Sequence, residues 1–105
     1  MNLDLEIGGL AVTFKLDTGF DGECLLDFNT FSKIAGEEIR GPYVKSISGE
    51  YFPTRLKLVE IRYGSKSIKM ACLTHPNFSR NLIGENGLQR IGLTVNYKEN
   101  KVEDP

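Results

Sequence analysis

At 105 residues, 40% hydrophobic and 26% charged, the chain has the make-up of one ordinary globular domain over 1–105, with apolar material for a single modest core. Thirteen Lys and Arg against 14 Asp and Glu leave a formal net charge of -1, and the signs are mixed along the chain. That mixing excludes a basic stripe for nucleic acid and an acidic tail for a basic partner. No apolar run approaches a membrane span, and Met1-Asn2-Leu3-Asp4 enters a strand pattern without the basic and apolar regions of a leader, so no membrane association and a cytoplasmic location are expected.

Leu3, Leu5 and Ile7 alternate with polar residues, and Gly8-Gly9 turns the chain into a second alternating run, Leu10 to Leu16. That hairpin ends abruptly on Asp17-Thr18-Gly19-Phe20, where a carboxylate carried by a rigid strand is followed by a hydroxyl and by a residue that permits a sharp turn. Glu23 to Leu26 reads as a short buried strand. Asp27 is placed to cap a short helix with Phe31, Ile34 and Ala35 on one face and Gly36 as its stop, and Phe28 and Phe31 read as core. Glu37 to Pro42 is a polar loop. Tyr43 to Ile47 and Glu50 to Tyr63 are strands joined at Ser48-Gly49, with Pro53 suited to a projecting strand. Leu56 and Leu58 share a face that Val59, Ile61 and Tyr63 do not, so a bulge or a change of layer is expected at Leu58-Val59.

Gly64-Ser65 turns into a strand carrying Ile68, Met70 and Cys72, followed by the polar loop Thr74 to Arg80, in which His75 reads as a solvated side chain. Asn81-Leu82-Ile83-Gly84 is a short strand leading to a helix with Leu88 and Ile91 on one face and Gly92 as its stop. Leu93, Val95 and Tyr97 alternate, and Glu99-Asn100 turns into Val102-Glu103. The terminal strands, with Asn2 to Ile7, are candidates for a subunit interface. Cys24 and Cys72 lack metal-site spacing and read as buried apolar residues without a disulfide; with a single histidine, no metal site is expected. Short strands and tight turns at this spacing, with two helices of a few turns, indicate an all-β barrel-like domain.

Asp17-Thr18-Gly19 after an apolar strand, the Ser48-Gly49 hairpin, and Leu82-Ile83-Gly84 before a short helix, in that order, resemble the retropepsin-like aspartic proteases, most closely the small bacterial and archaeal members of that clan. The resemblance covers nearly the whole chain. It implies an all-β, retropepsin-like closed barrel with one or two short helices, forming half of a homodimeric aspartic protease. It also implies a flap over roughly 46–52, Leu82 and Ile83 packed on the active turn with Gly84 allowing close approach, and peptide hydrolysis without metal or cofactor. Only one Asp-Thr-Gly occurs, so the resemblance requires a homodimer with Asp17 facing its counterpart across a two-fold axis. Asp17, Thr18 and Gly19 take the catalytic places, Thr18 bracing the two turns. Phe20, Asp21, Ile47, Ser48, Gly49, Leu82 and Ile83 are expected to meet a peptide or protein substrate. In the viral form of the pattern an arginine follows the apolar-apolar-Gly motif and pairs with an acid two residues beyond the catalytic Gly. Here those places hold Glu85 and Asp21, leaving Arg80 or Arg90 to supply a cation. The alternative is a peptide-binding or assembly domain on the same fold that does not cleave.

Overall fold

A computed structural model describes residues 1–46 and 48–105. In chain order the elements are β1 (Asn2–Ile7), β2 (Leu10–Leu16), β3 (Cys24–Leu25), α1 (Phe28–Lys33), β4 (Ile39–Arg40), β5 (Val44–Lys45) and β6 (Tyr51–Phe52). They continue as β7 (Arg55–Tyr63), β8 (Lys66–Thr74), β9 (Leu82–Ile83), α2 (Glu85–Ile91), β10 (Thr94–Asn96) and β11 (Lys101–Glu103). The main sheet runs β1-β2-β9-β3-β8-β7-β4, and pairing of Glu6 and Ile7 with Arg62 and Ile61 closes it into a barrel of six strands with β4 outside the ring. Two small hairpins, β5-β6 and β10-β11, stand apart from it.

Alternation decides which residues enter the barrel. Leu3, Leu5 and Ile7 on β1 and Val12 and Phe14 on β2 point inward, where they meet Val59, Ile61, Met70 and Ile83. A side chain as large as Phe14, fully enclosed, contributes about 2–3 kcal/mol by burial. Helices α1 and α2 cover the barrel through Phe31, Leu88 and Ile91. Gly92 stops α2 in the left-handed conformation, as its position in the sequence implies.

Several local expectations give way. The inward alternation of β7 does not slip: its register against β8 is continuous from Arg55–Thr74 to Tyr63–Lys66, and Lys57 takes the inward place between Thr54 and Val59. Leu58 faces out, 61% exposed. The buried ammonium of Lys57 donates to the carbonyls of Phe31 (2.8 Å) and Ile34 (2.9 Å) and lies 4.4 Å from the centre of the Phe31 ring. It therefore satisfies the C-terminal carbonyls of α1, which ends at Lys33 with Ile34 as its cap, two residues short of Gly36. Asp27 does cap the other end, accepting from the amide of Thr30 at 2.7 Å. Ala35 and Phe28 lie outside the core because α1 is only six residues long and buries a single face through Phe31. The polar loop at 37–42 contains β4, drawn onto the free edge of β7. The long strand proposed over 50–63 breaks at Pro53-Thr54, where Thr54 turns inward and donates to the carbonyl of Pro42 at 2.6 Å.

Candidate active site

β2 carries the chain to the site, and β9 fixes where it stops. The two strands run parallel, Lys15 beside Leu82 and Leu16 beside Ile83. The amide of Lys15 donates to the carbonyl of Asn81 (2.9 Å), and that of Asp17 to the carbonyl of Ile83 (3.0 Å). Asp17 is thus the first residue beyond the strand and still anchored to the barrel. Its Oδ1 accepts from the amide of Gly19 at 2.9 Å, and its carbonyl accepts from the amide of Phe20 at 3.2 Å. Each bond tightens the turn around a half-buried carboxylate, while Thr18 and Gly19 remain exposed.

Gly84 is what allows β9 this close. A Cβ there would lie 2.4 Å from the carbonyl oxygen of Gly22 and 2.7 Å from that of Phe20, and the Gly84 amide donates to the carbonyl of Glu23 at 3.1 Å. The motif at 82–84 therefore meets the turn at 17–23 through backbone.

Above the turn stands the β5-β6 hairpin, Val44 opposite Phe52 and Lys45 opposite Tyr51, with the amide of Ser46 donating to the carbonyl of Glu50 at 2.7 Å. Between hairpin and turn lies a cleft of about 480 Å³. Phe20 and Asp21 line it from the turn, Tyr43, Val44 and Lys45 from the outgoing arm of the hairpin, Tyr51 from the returning arm, and Leu73 from β8. A second hollow of about 380 Å³ lies between the hairpin and the loop at 75–78. There Phe52, His75 and Phe78 pack with ring centres 5.2 to 5.7 Å apart, so His75 is half-buried rather than solvated.

The residues expected to meet substrate divide accordingly. Phe20 and Asp21 line the cleft. Ser48 and Gly49 sit exposed at the hairpin turn, Ser48 bordering the second hollow, and Ile47 lies outside the described residues. Leu82 is half-buried in a separate groove with Leu25 and Phe78. Ile83 is fully buried, so its side chain belongs to the core and its carbonyl to Asp17. Tyr43, Val44, Lys45, Tyr51 and Leu73 are cleft residues that sequence reasoning missed; the hairpin pattern held a signal for the first four, whereas Leu73 reads like any inward residue of β8.

Asp21 is held here through its backbone, and Glu85 through its side chain. The side-chain amide of Asn86 donates to the carbonyl of Asp21 at 3.0 Å, and Glu85 accepts from the hydroxyl of Tyr97 at 2.8 Å. That bond, helped by partial desolvation and the carboxylate charge, holds the Tyr97 phenol above its usual range. Of the two arginines offered for that place, Arg90 turns to Glu23, its guanidinium donating to both carboxylate oxygens at 2.9 Å, while Glu23 Oε2 also accepts from the amide of Ala71 at 3.0 Å. Behind them Cys24 and Cys72 are register partners on parallel strands, buried and free. Burial first, then a hydrogen bond with Cys72, pushes the Cys24 thiol well up. Among the described residues no His, Cys, Asp and Glu gather into a metal-binding group, and no helix is long and apolar enough to cross a membrane.

The same architecture occurs in EIAV protease, solved with a bound inhibitor, which superposes with a TM-score of 0.78 over 91% of each chain at 21% sequence identity. No protein-family model matches the sequence, and neither does any curated protein. The chain has a retropepsin-like fold.

Proposed function

We propose that the chain is an aspartic endopeptidase that acts as a homodimer. The observation that carries this reading is Asp17, whose amide is tied to β9 and whose carboxylate accepts from the Gly19 amide, in a turn that lines a hairpin-roofed cleft through Gly19 and Phe20. One chain brings one such carboxylate, so a second copy related by a two-fold axis completes the pair. Two carboxylates that close share a single proton. The ionised one takes a proton from a water held between them, and that water attacks the peptide carbonyl. The protonated one donates to the carbonyl oxygen, and a proton then passes to the departing amine as the C–N bond breaks. Substrate lies extended between turn and hairpin, gaining main-chain bonds as an added strand does.

The test is cleavage of a mixed peptide library, read by mass spectrometry at several protein concentrations and from acidic to neutral pH, beside Asp17→Asn. Cleavage that rises faster than linearly with protein and vanishes in the variant is the expected result. Absence of cleavage by protein shown to be folded and dimeric would favour the second reading, a peptide-binding or assembly domain. One observation supports that second reading: Glu85 is turned to Tyr97 and the nearby arginine to Glu23, so the arginine-acid pair of the viral pattern has no direct counterpart at Asp21.

A further inference from the structure

The turn that begins at Asp17 ends at Glu23, and both ends are tied to consecutive residues of one segment. The Asp17 amide donates to the carbonyl of Ile83 at 3.0 Å, and the carbonyl of Glu23 accepts from the amide of Gly84 at 3.1 Å. Beyond that the two ends are held differently. The first belongs to the β2-β9 ladder. At the second the chain has not yet joined the sheet, since β3 begins at Cys24, beside Cys72 of β8. The amide of Ala71, the residue before Cys72, is instead met by a side chain: Glu23 Oε2 accepts from it at 3.0 Å, standing in for a strand carbonyl. Arg90 of α2 donates to both oxygens of the same carboxylate at 2.9 Å. α2 lies this close because Gly87 carries no side chain; a Cβ there would sit 2.5 Å from the Glu23 carbonyl oxygen and 3.2 Å from its carbon.

We infer that Glu23 is a positioning residue: its carboxylate, clamped between the Ala71 amide and the Arg90 guanidinium, fixes the returning end of the turn and thereby the place of the Asp17 carboxylate. Its bearing on catalysis rests on the peptidase reading. A shift at Glu23 reaches Asp17 through the turn itself, because the Phe20 amide donates to the Asp17 carbonyl at 3.2 Å and the Gly19 amide to Asp17 Oδ1 at 2.9 Å. The Arg90 side chain is 48% exposed, and an ion pair so open adds little to global stability. What the clamp controls is local, the geometry of a short segment that leaves the sheet and returns.

The test compares wild type with Glu23→Leu, which removes both bonds while keeping bulk, and Glu23→Gln, which keeps an oxygen for the Ala71 amide. Cleavage kinetics on one peptide from the library and hydrogen exchange are read side by side. In Glu23→Leu, kcat should fall about tenfold with KM within about twofold, the loss for a shift of the carboxylate by roughly half an ångström. Exchange at the Phe20 and Gly84 amides should speed about tenfold more than at the Gly8 amide, which is bonded to the Glu60 carbonyl at 3.0 Å. Glu23→Gln should bring both readouts back to within about threefold of wild type. An unchanged kcat in Glu23→Leu, exchange that speeds equally at Gly8, or Glu23→Gln no better than Glu23→Leu would each overturn the inference. Should Glu23→Leu fail to fold, Arg90→Met, which leaves the Ala71 bond in place, carries the same comparison, with a fall in kcat of about threefold and the same bias in exchange. Wild-type values of both in Arg90→Met then overturn it. If wild type cleaves nothing, the peptidase reading falls and exchange alone decides. A bias toward Phe20 and Gly84 that Glu23→Gln reverses upholds the fixed turn, and no bias overturns it.

Discussion

Replacing Gly84 by Ala adds one methyl at the point where β9 meets the turn that follows Asp17, and its effect can be worked from the contacts there. The new Cβ would lie 2.4 Å from the Gly22 carbonyl oxygen and 2.7 Å from that of Phe20, against the 3.4–4 Å of ordinary contact. Both neighbours are backbone, so relief requires turn and strand to part by roughly an ångström, a strain of about 2–3 kcal/mol on the scale of overpacked sites. Alanine also lowers the entropy of the unfolded chain relative to glycine, which offsets about 0.4–1 kcal/mol, since φ of −87° at Gly84 suits either residue. The net loss should be about 1–2.5 kcal/mol, read as a lower urea midpoint at unchanged slope. The parting should also weaken the bond from the Asp17 amide to the Ile83 carbonyl, speeding hydrogen exchange at Asp17 more than at Val12 on the same strand. On the peptidase reading, displacement of the carboxylate by that distance should cost about a hundredfold in peptide cleavage. Unchanged stability together with unchanged exchange at Asp17 would refute the close contact from which all three effects are derived.

Lys57→Met removes the donor to the Phe31 and Ile34 carbonyls and should destabilise the fold by about 2–3 kcal/mol, the range for a bond from a charged group, with loss of helical signal from α1; an unchanged urea midpoint would contradict the capping role. Neither thiol should react with a disulfide reagent in the native protein at mildly alkaline pH, because both are fully enclosed and burial holds Cys24 protonated, whereas two should react after unfolding; rapid native labelling, or fewer than two thiols in denaturant, would show the packing to be wrong. The bond to Glu85 raises the Tyr97 pKa in the folded chain, so its stabilisation is complete below the ordinary tyrosine range and disappears as pH rises through the shifted value. Absorbance titration should show Tyr97 ionising above its ordinary range, and Glu85→Gln should bring it back; superposable curves would remove that bond from consideration.

The retropepsin-like barrel was legible because its inward residues obey the two-residue alternation of Leu3-Leu5-Ile7 and Val12-Phe14, and because the Asp17-Thr18-Gly19 turn and the Leu82-Ile83-Gly84 strand occur in a telling order. Where an inward place is filled by a charged residue, alternation misleads: Lys57 made β7 read as if its faces exchanged at Leu58-Val59, although the strand runs straight. Lysine is acceptable there only because α1, distant in sequence, offers two carbonyls in need of donors.

Taken alone, the sequence determined the turn that begins at Asp17 and the strands on either side, since these follow from local periodicity and turn chemistry. Tertiary structure decided which residues share the cleft. Leu73 is indistinguishable from a core residue until β8 is laid beside β3, and Tyr43 and Tyr51 become walls only when their hairpin stands over the turn. Ile83, which the motif suggested as a substrate contact, is enclosed by the barrel and serves Asp17 through its carbonyl. Such outcomes depend on contacts between segments tens of residues apart, and no local pattern encodes which side chain a distant backbone will shield from water.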